Sequence, residues 1–229
     1  MTNPKRAAGY RAADLVEDGA TLGLGTGTTV AFVLERLAAR IRQEGLRVRG
    51  LPTSRRTEEA ARALGIPLVS FDDVPSLDLA IDGADEVDPR WNLIKGGGGA
   101  LLREKVVASA SRRTTIVVGA EKLVPRLGRF PLPVEVVRFA WRPAAKALEA
   151  LGCRPELRRD PAGGAYVTDE GHGILDCRFE GIDDPAALDA AIDRIPGVVE
   201  TGIFVGLVHR LVVGHGDGRV EVLDRPPGG

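Results

Sequence analysis

Apolar positions along this chain change period several times, and the changes outline its elements. Residues 4–18 place Ala7, Ala8, Ala12, Leu15 and Val16 on one helical stripe, and residues 20–25 form a short apolar run that ends in glycine. After Thr26-Gly-Thr-Thr29 a second stripe follows through Val30, Val33, Leu34, Leu37, Ala38 and Ile41. This is strand, glycine turn, helix. The same reading predicts strands at 46–51, 66–71, 77–81 and 114–118, and helices at 55–64 and 100–111. Strands that alternate with helices and lack a period of two predict a Rossmann-like α/β layer: a mostly parallel sheet with helices on both faces.

Beyond residue 131 the texture changes. Strands are expected at 134–137, 154–159, 165–168, 174–179 and 198–205, with helices at 142–151 and 185–195. With 165–168 and 174–179 as arms around residues 169–173, they are read as the βαββαβ order of an inserted ferredoxin-like α+β unit. A final hairpin, 210–214 and 220–223 around His215-Gly-Asp-Gly218, is expected to return to the first sheet. The division is therefore 1–130 with 207–229 for the Rossmann-like domain, and 131–206 for the small unit, which is expected to flank the site and make subunit contacts. The terminal Pro-Pro-Gly-Gly is read as frayed.

Composition narrows the function classes. The 229 residues carry 31 Lys+Arg against 32 Asp+Glu, a net charge of −1, so nothing in the overall charge favours nucleic acid. Cys153 and Cys177, with His172, His209 and His215, have no metal-ligand spacing. The cysteines are read as core thiols, and Asp169, His172, His209 and His215 as polar, exposed positions. The beginning of the chain lacks a secretory apolar core, and no uncharged run is long enough to span a bilayer, so the expectation is a cytoplasmic protein without membrane or nucleic-acid partners.

Three segments carry candidate chemistry. Gly23-Leu-Gly-Thr-Gly-Thr-Thr29 joins a strand to a helix, where N–H groups and the helix dipole accept an anion. A dinucleotide fingerprint fails here, because Thr28 stands where a small residue is needed and 48–52 offers no acid; a P-loop fails for want of a lysine. A tight turn with threonine caps or a pocket for one phosphate monoester remains. Asp82-Gly-Ala-Asp85-Glu-Val-Asp88 follows an apolar strand, at the edge where ligands of open α/β sheets bind. Lys95-Gly-Gly-Gly-Gly-Ala-Leu-Leu-Arg-Glu-Lys105 then places four glycines ahead of a helix. An ordered run of this kind implies unusual dihedrals or close approach, and is read as a cradle of amides with Lys95 as a fixed cation beside a developing oxyanion. Taken singly, Lys95, Glu104 and each aspartate are more often solvated surface charges.

Together these blocks, with Thr53-Ser-Arg-Arg-Thr57, Phe130-Pro-Leu-Pro-Val-Glu135 and Ile195-Pro-Gly-Val-Val199, resemble the signature segments of the type A ribose-5-phosphate isomerases, in order along the chain. The resemblance implies an aldose–ketose isomerase that interconverts ribose 5-phosphate and ribulose 5-phosphate in the non-oxidative pentose phosphate pathway, with no metal and no cofactor, as a homodimer or higher homo-oligomer. By the same resemblance Glu104 is the base that shuttles a proton between C2 and C1, and Lys95 with Gly96, Gly97 and Gly98 holds the charged oxygen. Asp82 and Asp85, with Gly83 and Ala84, take the sugar hydroxyls and assist ring opening. Thr26, Gly27, Thr28 and Thr29 line the substrate, Lys122 lies at its edge, and Lys5 of the first helix stands near where relatives reach the phosphate. Thr28 replaces a more usual serine, and Glu121 stands where serine is common. Two other readings compete: a sugar-phosphate sensor, which lacks its DNA-reading helices here, and a coenzyme A transferase or phosphosugar lactonase on a similar sheet, the first of which would use a glutamate as nucleophile.

Overall fold

Asn3 opens the first helix by accepting the N–H groups of Lys5 and Arg6 on its side-chain oxygen. The computed structural model of the protein describes residues 3–226, so Met1, Thr2 and the last three residues of the end read as frayed lie outside the described residues. In chain order the elements are α1 (Pro4–Asp14), β1 (Thr21–Leu24), α2 (Thr28–Glu44), β2 (Arg49–Pro52), α3 (Arg55–Ala63), β3 (Leu79–Asp82), β4 (Glu86–Val87), β5 (Leu93–Ile94), α4 (Leu101–Ser109) and β6 (Thr114–Gly119). There follow β7 (Leu132–Val136), α5 (Trp141–Glu149), β8 (Arg154–Leu157), β9 (Gly173–Arg178), α6 (Pro185–Ile192), β10 (Val198–Thr201), β11 (Ile203–Phe204), β12 (Arg210–Gly214) and β13 (Val220–Asp224).

The chain divides into two units, one of residues 1–84, 103–122 and 207–229, the other of 85–102 and 123–206. The first holds a six-stranded sheet in the order β13-β12-β6-β3-β1-β2, parallel except for the last hairpin strand, β13. The predicted stripe of α2 is its buried face: Val30, Val33, Leu34, Leu37 and Ala38 pack with Ala8, Ala12, Leu22, Leu24 and Ile81. Gly45, at φ 71°, ends that helix in the left-handed conformation that glycine adopts without a Cβ penalty.

The second unit is the βαββαβ fold expected, its antiparallel sheet ordered β10-β7-β9-β8 and backed by α5 and α6. It also takes in more chain than 131–206. β4 and β5 form a hairpin, and β11 joins them as a three-stranded sheet. Glu86, buried, accepts the N–H groups of Gly128 and Phe130, and Val124 donates to Val87, so 85–102 and 123–130 belong here rather than with the Rossmann-like unit.

Three predicted strands differ. Residues 66–71 contribute only the single bridge Gly50–Leu68, and 165–168 only Arg159–Ala165. The expected strand 198–205 breaks at Gly202, because β10 pairs with β7 and β11 with β5. A Cβ at Gly202 would lie 2.3 Å from the Lys95 carbonyl oxygen, so the crossing between the two sheets needs glycine.

Candidate active site

In the first unit the sequence-singled residues gather at the carboxyl edge of three adjacent parallel strands, β1, β3 and β6. β1 runs into Gly25 and Thr26, β3 ends on Asp82, and β6 leads through a 3₁₀ turn to Lys122. Asp82 is 5% exposed and binds two amides with one oxygen: Thr26 N at 3.0 Å and Gly83 N at 2.7 Å. This pins the glycine turn to the end of β3, and it requires Gly25, where a Cβ would stand 2.1 Å from Asp82 Oδ1.

The three threonines of that turn have different surroundings. The Thr26 hydroxyl lies 2.8 Å from both the Thr53 and Ser54 hydroxyls and 3.2 Å from that of Thr57, which in turn donates to the Gly25 carbonyl at 2.9 Å. Its role is thus to tie the turn to the start of α3, where Ser54 caps the helix by accepting Thr57 N–H. Thr28 is exposed and Thr29 buried, at the first two positions of the seventeen-residue α2, whose dipole favours an anion there. Gly27 reaches φ 123° just before them. Lys5 sits half-buried in the first turn of α1.

Glu104 lies in the first turn of α4 and is 5% exposed. Because β3 and β6 are parallel neighbours, the helix entering β6 must begin at their carboxyl edge. The register follows from Val107, whose Cγ1 would stand 2.3 Å from a Cβ at Gly23 in β1. Glu104 precedes Val107 by three residues, so it shares that sheet-facing side one turn nearer the edge.

In the second unit Lys95 follows β5 directly and is 3% exposed, with its Nζ 5.5 Å from the centre of the Phe204 ring. Its backbone N–H donates to Gly202 at 2.8 Å, which fixes the lysine between β4 and β11. The glycines after it form a tight turn, Gly99 N–H to Gly96 O at 2.9 Å, with positive φ at Gly96 (100°) and Gly99 (82°). The expected cradle is more selective than a ring of open donors. Gly97 N–H is already given to Asp85 Oδ2 at 2.7 Å, whereas Gly98 N–H makes no hydrogen bond among the described residues.

Sequence reasoning missed what holds this turn. Arg158 donates through Nη1 to the carbonyls of Gly96 (2.8 Å) and Gly97 (3.4 Å), and Asp176 grips its other nitrogens at 2.9 and 2.5 Å. The Tyr166 hydroxyl would be 2.1 Å from a Cβ at Gly99. Nothing in the spacing of Arg158, Tyr166 and Asp176 marks them, since contacts across 60 residues leave no local pattern. His172 is a correction of the polar hairpin-tip reading: its Nδ1 lies 3.0 Å from Glu135 Oε1, which also accepts the Thr168 hydroxyl at 2.8 Å. His215 likewise is not simply exposed, with Nε2 3.3 Å from Glu221. Cys153 and Cys177 are buried core thiols, and their mutual contact and burial push the Cys177 thiol far up. The remaining members of the acid block are structural: Asp88 accepts the N–H groups of Arg90 and Asn92 to close the β4–β5 hairpin.

The two groups are joined by the chain itself. Ala84 and Asp85 are consecutive, as are Leu102 and Arg103, so Asp82 precedes Asp85 by three residues and Gly99 precedes Glu104 by five.

Comparison with known proteins agrees with these motifs. The family described as Ribose 5-phosphate isomerase A (phosphoriboisomerase A) matches residues 49–218. A ribose-5-phosphate isomerase A of Cereibacter sphaeroides is 51% identical over 227 residues, covering 96% of this chain and 90% of that protein. The solved ribose 5-phosphate isomerase A of Methanocaldococcus jannaschii superposes with a TM-score of 0.92 at 40% identity, over 97% of this chain and 98% of the other. A D-ribose-5-phosphate isomerase solved in complex with phospho-erythronic acid gives 0.94 at 36% identity, over 97% and 98% of the two chains. The chain belongs to the ribose 5-phosphate isomerase A family.

Proposed function

We propose that in this chain, an aldose–ketose isomerase for ribose 5-phosphate and ribulose 5-phosphate by its family, Glu104 is the single carboxylate that carries the proton between C2 and C1. Glu104 takes the C2 proton of the open-chain aldose, the electron pair moves toward the C1 oxygen, and the resulting enediolate recovers that proton at C1. The hydroxyl proton passes from O2 to O1, which leaves the carbonyl at C2. A glutamate has an ordinary pKa of about 4.3, so the free side chain is ionised near neutrality and suits the role of base.

The enediolate oxygen needs preorganised positive charge in a water-poor place. Lys95, buried and fixed by the β5–β11 pairing, supplies the ammonium, and Gly98 N–H is the donor of the glycine turn not committed elsewhere among the described residues. Asp82 and Asp85, each held on one oxygen by backbone N–H groups, take the sugar hydroxyls and assist ring opening and the O2-to-O1 transfer. The phosphate takes the α2 N-terminus at Thr28 and Thr29, with Lys122 alongside. A neighbour's complex with phospho-erythronic acid, a phosphorylated polyhydroxy acid, supports a site for a sugar phosphate.

The observation that carries this reading is a buried carboxylate one helical turn from the Val107–Gly23 contact, at the strand edge where Asp82 also ends. The test is the Glu104→Gln variant, which keeps size and loses the base. Its kcat is expected to fall about 10²–10⁴-fold, the range for removing a general base, with KM little changed. Turnover within a few-fold of the parent would remove Glu104 from the mechanism. Removing the cation with Lys95→Met should cost about 10²–10³ in kcat, as for loss of an oxyanion donor.

The homo-oligomer expected from the resemblance is supported by Phe139, which is 96% exposed in the second unit, with Val137 also exposed beside it. Phe139→Asp should shift the molar mass seen by light scattering toward the protomer.

A further inference from the structure

A concavity lies within the first unit, at the amino edge of its sheet, opposite to the edge on which Asp82 ends. It has a volume of about 710 Å³, inside the range of small-molecule sites. It opens where β1, β3, β6 and β12 begin, and none of the residues assigned to isomerisation lines it.

Its wall carries four guanidinium groups: Arg112, Arg113, Arg210 and Arg225. Two are spoken for, since Arg210 holds Asp224 at 2.6 Å and Arg112 stands 3.7 Å from Asp78. Arg113 and Arg225 hold no carboxylate at ion-pair distance among the described residues, although Arg113 also acts on Asp224 through space and Glu17 borders the cavity. The cavity therefore holds more positive than negative side chains, in a protein whose formal charge is −1.

Two further groups have hydrogen-bonding capacity left over. His209 Nδ1 accepts the Thr114 N–H at 3.1 Å, which leaves Nε2 as the ring's donor. Thr115, 5% exposed, lines the cavity, and its hydroxyl has no hydrogen-bond partner among the described residues. Leu15 and Leu79 supply an apolar wall on the same cavity.

We propose that this cavity is a binding site for a small organic phosphate, separate from the isomerase substrate site. The forks of Arg113 and Arg225 suit the paired oxygens of a phosphate dianion, Thr115 and His209 add neutral donors, and Leu15 and Leu79 receive the apolar body. The proposal does not depend on the residue roles assigned to isomerisation.

The test titrates adenosine 5′-monophosphate, a phosphate monoester with an apolar ring, into the full chain at low salt by calorimetry. Wild-type protein should bind it, and the Arg113→Ala/Arg225→Ala variant about tenfold or more weakly, as for loss of charge-assisted bonds to an anion. Adenosine, which lacks the phosphate, should bind as weakly as the variant does. The variant's isomerase kcat/KM should stay at the parent's value. Because the double variant could be perturbed in fold, ¹⁵N shifts are also followed in the wild type, where Thr115, His209 and Arg225 amides should move on addition of the monophosphate. Equal affinity in wild type and variant, no binding to the wild type, or shifts confined to residues outside the cavity would overturn the proposal.

Discussion

At the scale of the residue, Arg158 holds the glycine turn from a distance of some 60 positions along the chain. It donates to the Gly96 and Gly97 carbonyls while Asp176 fixes its guanidinium, so the peptide planes of the glycine turn are held from the carbonyl side. Arg158→Ala should lower kcat by about tenfold or more with a smaller effect on KM, because the loss falls on interactions made in the transition state. Arg158→Lys, which keeps one donor, should recover part of it; a variant with unaltered kcat would show that the turn holds itself. Asp85 was readable from its motif, but its grip on Gly97 N–H was not, since the two are twelve residues apart and neither type announces the pairing. Glu135 offers a pH test. Burial raises its pKa above the ordinary carboxylate value, against the lowering effect of Thr168 and His172. A raised folded pKa gives stability that is full below the unfolded value, about 4.3, and is lost as pH rises through the folded value. Glu135→Gln should therefore gain on the wild type in urea midpoint as pH is raised from 4 toward neutrality, and a constant difference across that range would refute the assignment.

At the scale of the element, the helices and central strands were readable because each has a strong period or an unbroken apolar run. The six residues of β6 are all buried, and the apolar stripe of α2 is its packed face. The losses were in segments whose pairing depends on another sheet. Residues 66–71 have strand composition but one bridge, and 198–205 looks continuous although Gly202 passes it from one sheet to another. The turn at Gly25 is the element-scale counterpart of the site, because β1 and β3 approach so closely there that Asp82 occupies the space of a side chain. Gly25→Ala must push the Asp82 carboxylate or the turn aside. An overpacking cost of about 1–3 kcal/mol is expected, or about 2–4 °C in melting temperature per kcal/mol for a chain of this size. Activity should fall further than stability alone explains. A fully active Gly25→Ala protein with an unchanged melting temperature would show that this packing is looser than described.

At the scale of the whole molecule, the sequence yields two units and a discontinuous first one, but places their borders differently from the structure. The error has a physical source: β4 and β5 are two residues each, too short to show a period, and the other partner of β5, β11, lies more than a hundred residues away. The chain passes between the units at Ala84–Asp85 and at Leu102–Arg103, in the middle of two of the three segments that carry candidate chemistry. Among the described residues no helix is long and apolar enough to cross a membrane. The central claim, that one carboxylate moves the proton between neighbouring carbons, is tested most directly by isomerisation in D₂O followed by NMR. The wild type should carry part of the C2 proton over to C1 of ribulose 5-phosphate and place any deuterium there at a single stereochemical position, and Glu104→Gln should lose exchange and isomerisation together. Deuterium entering C1 at an undiminished rate in Glu104→Gln would contradict the account.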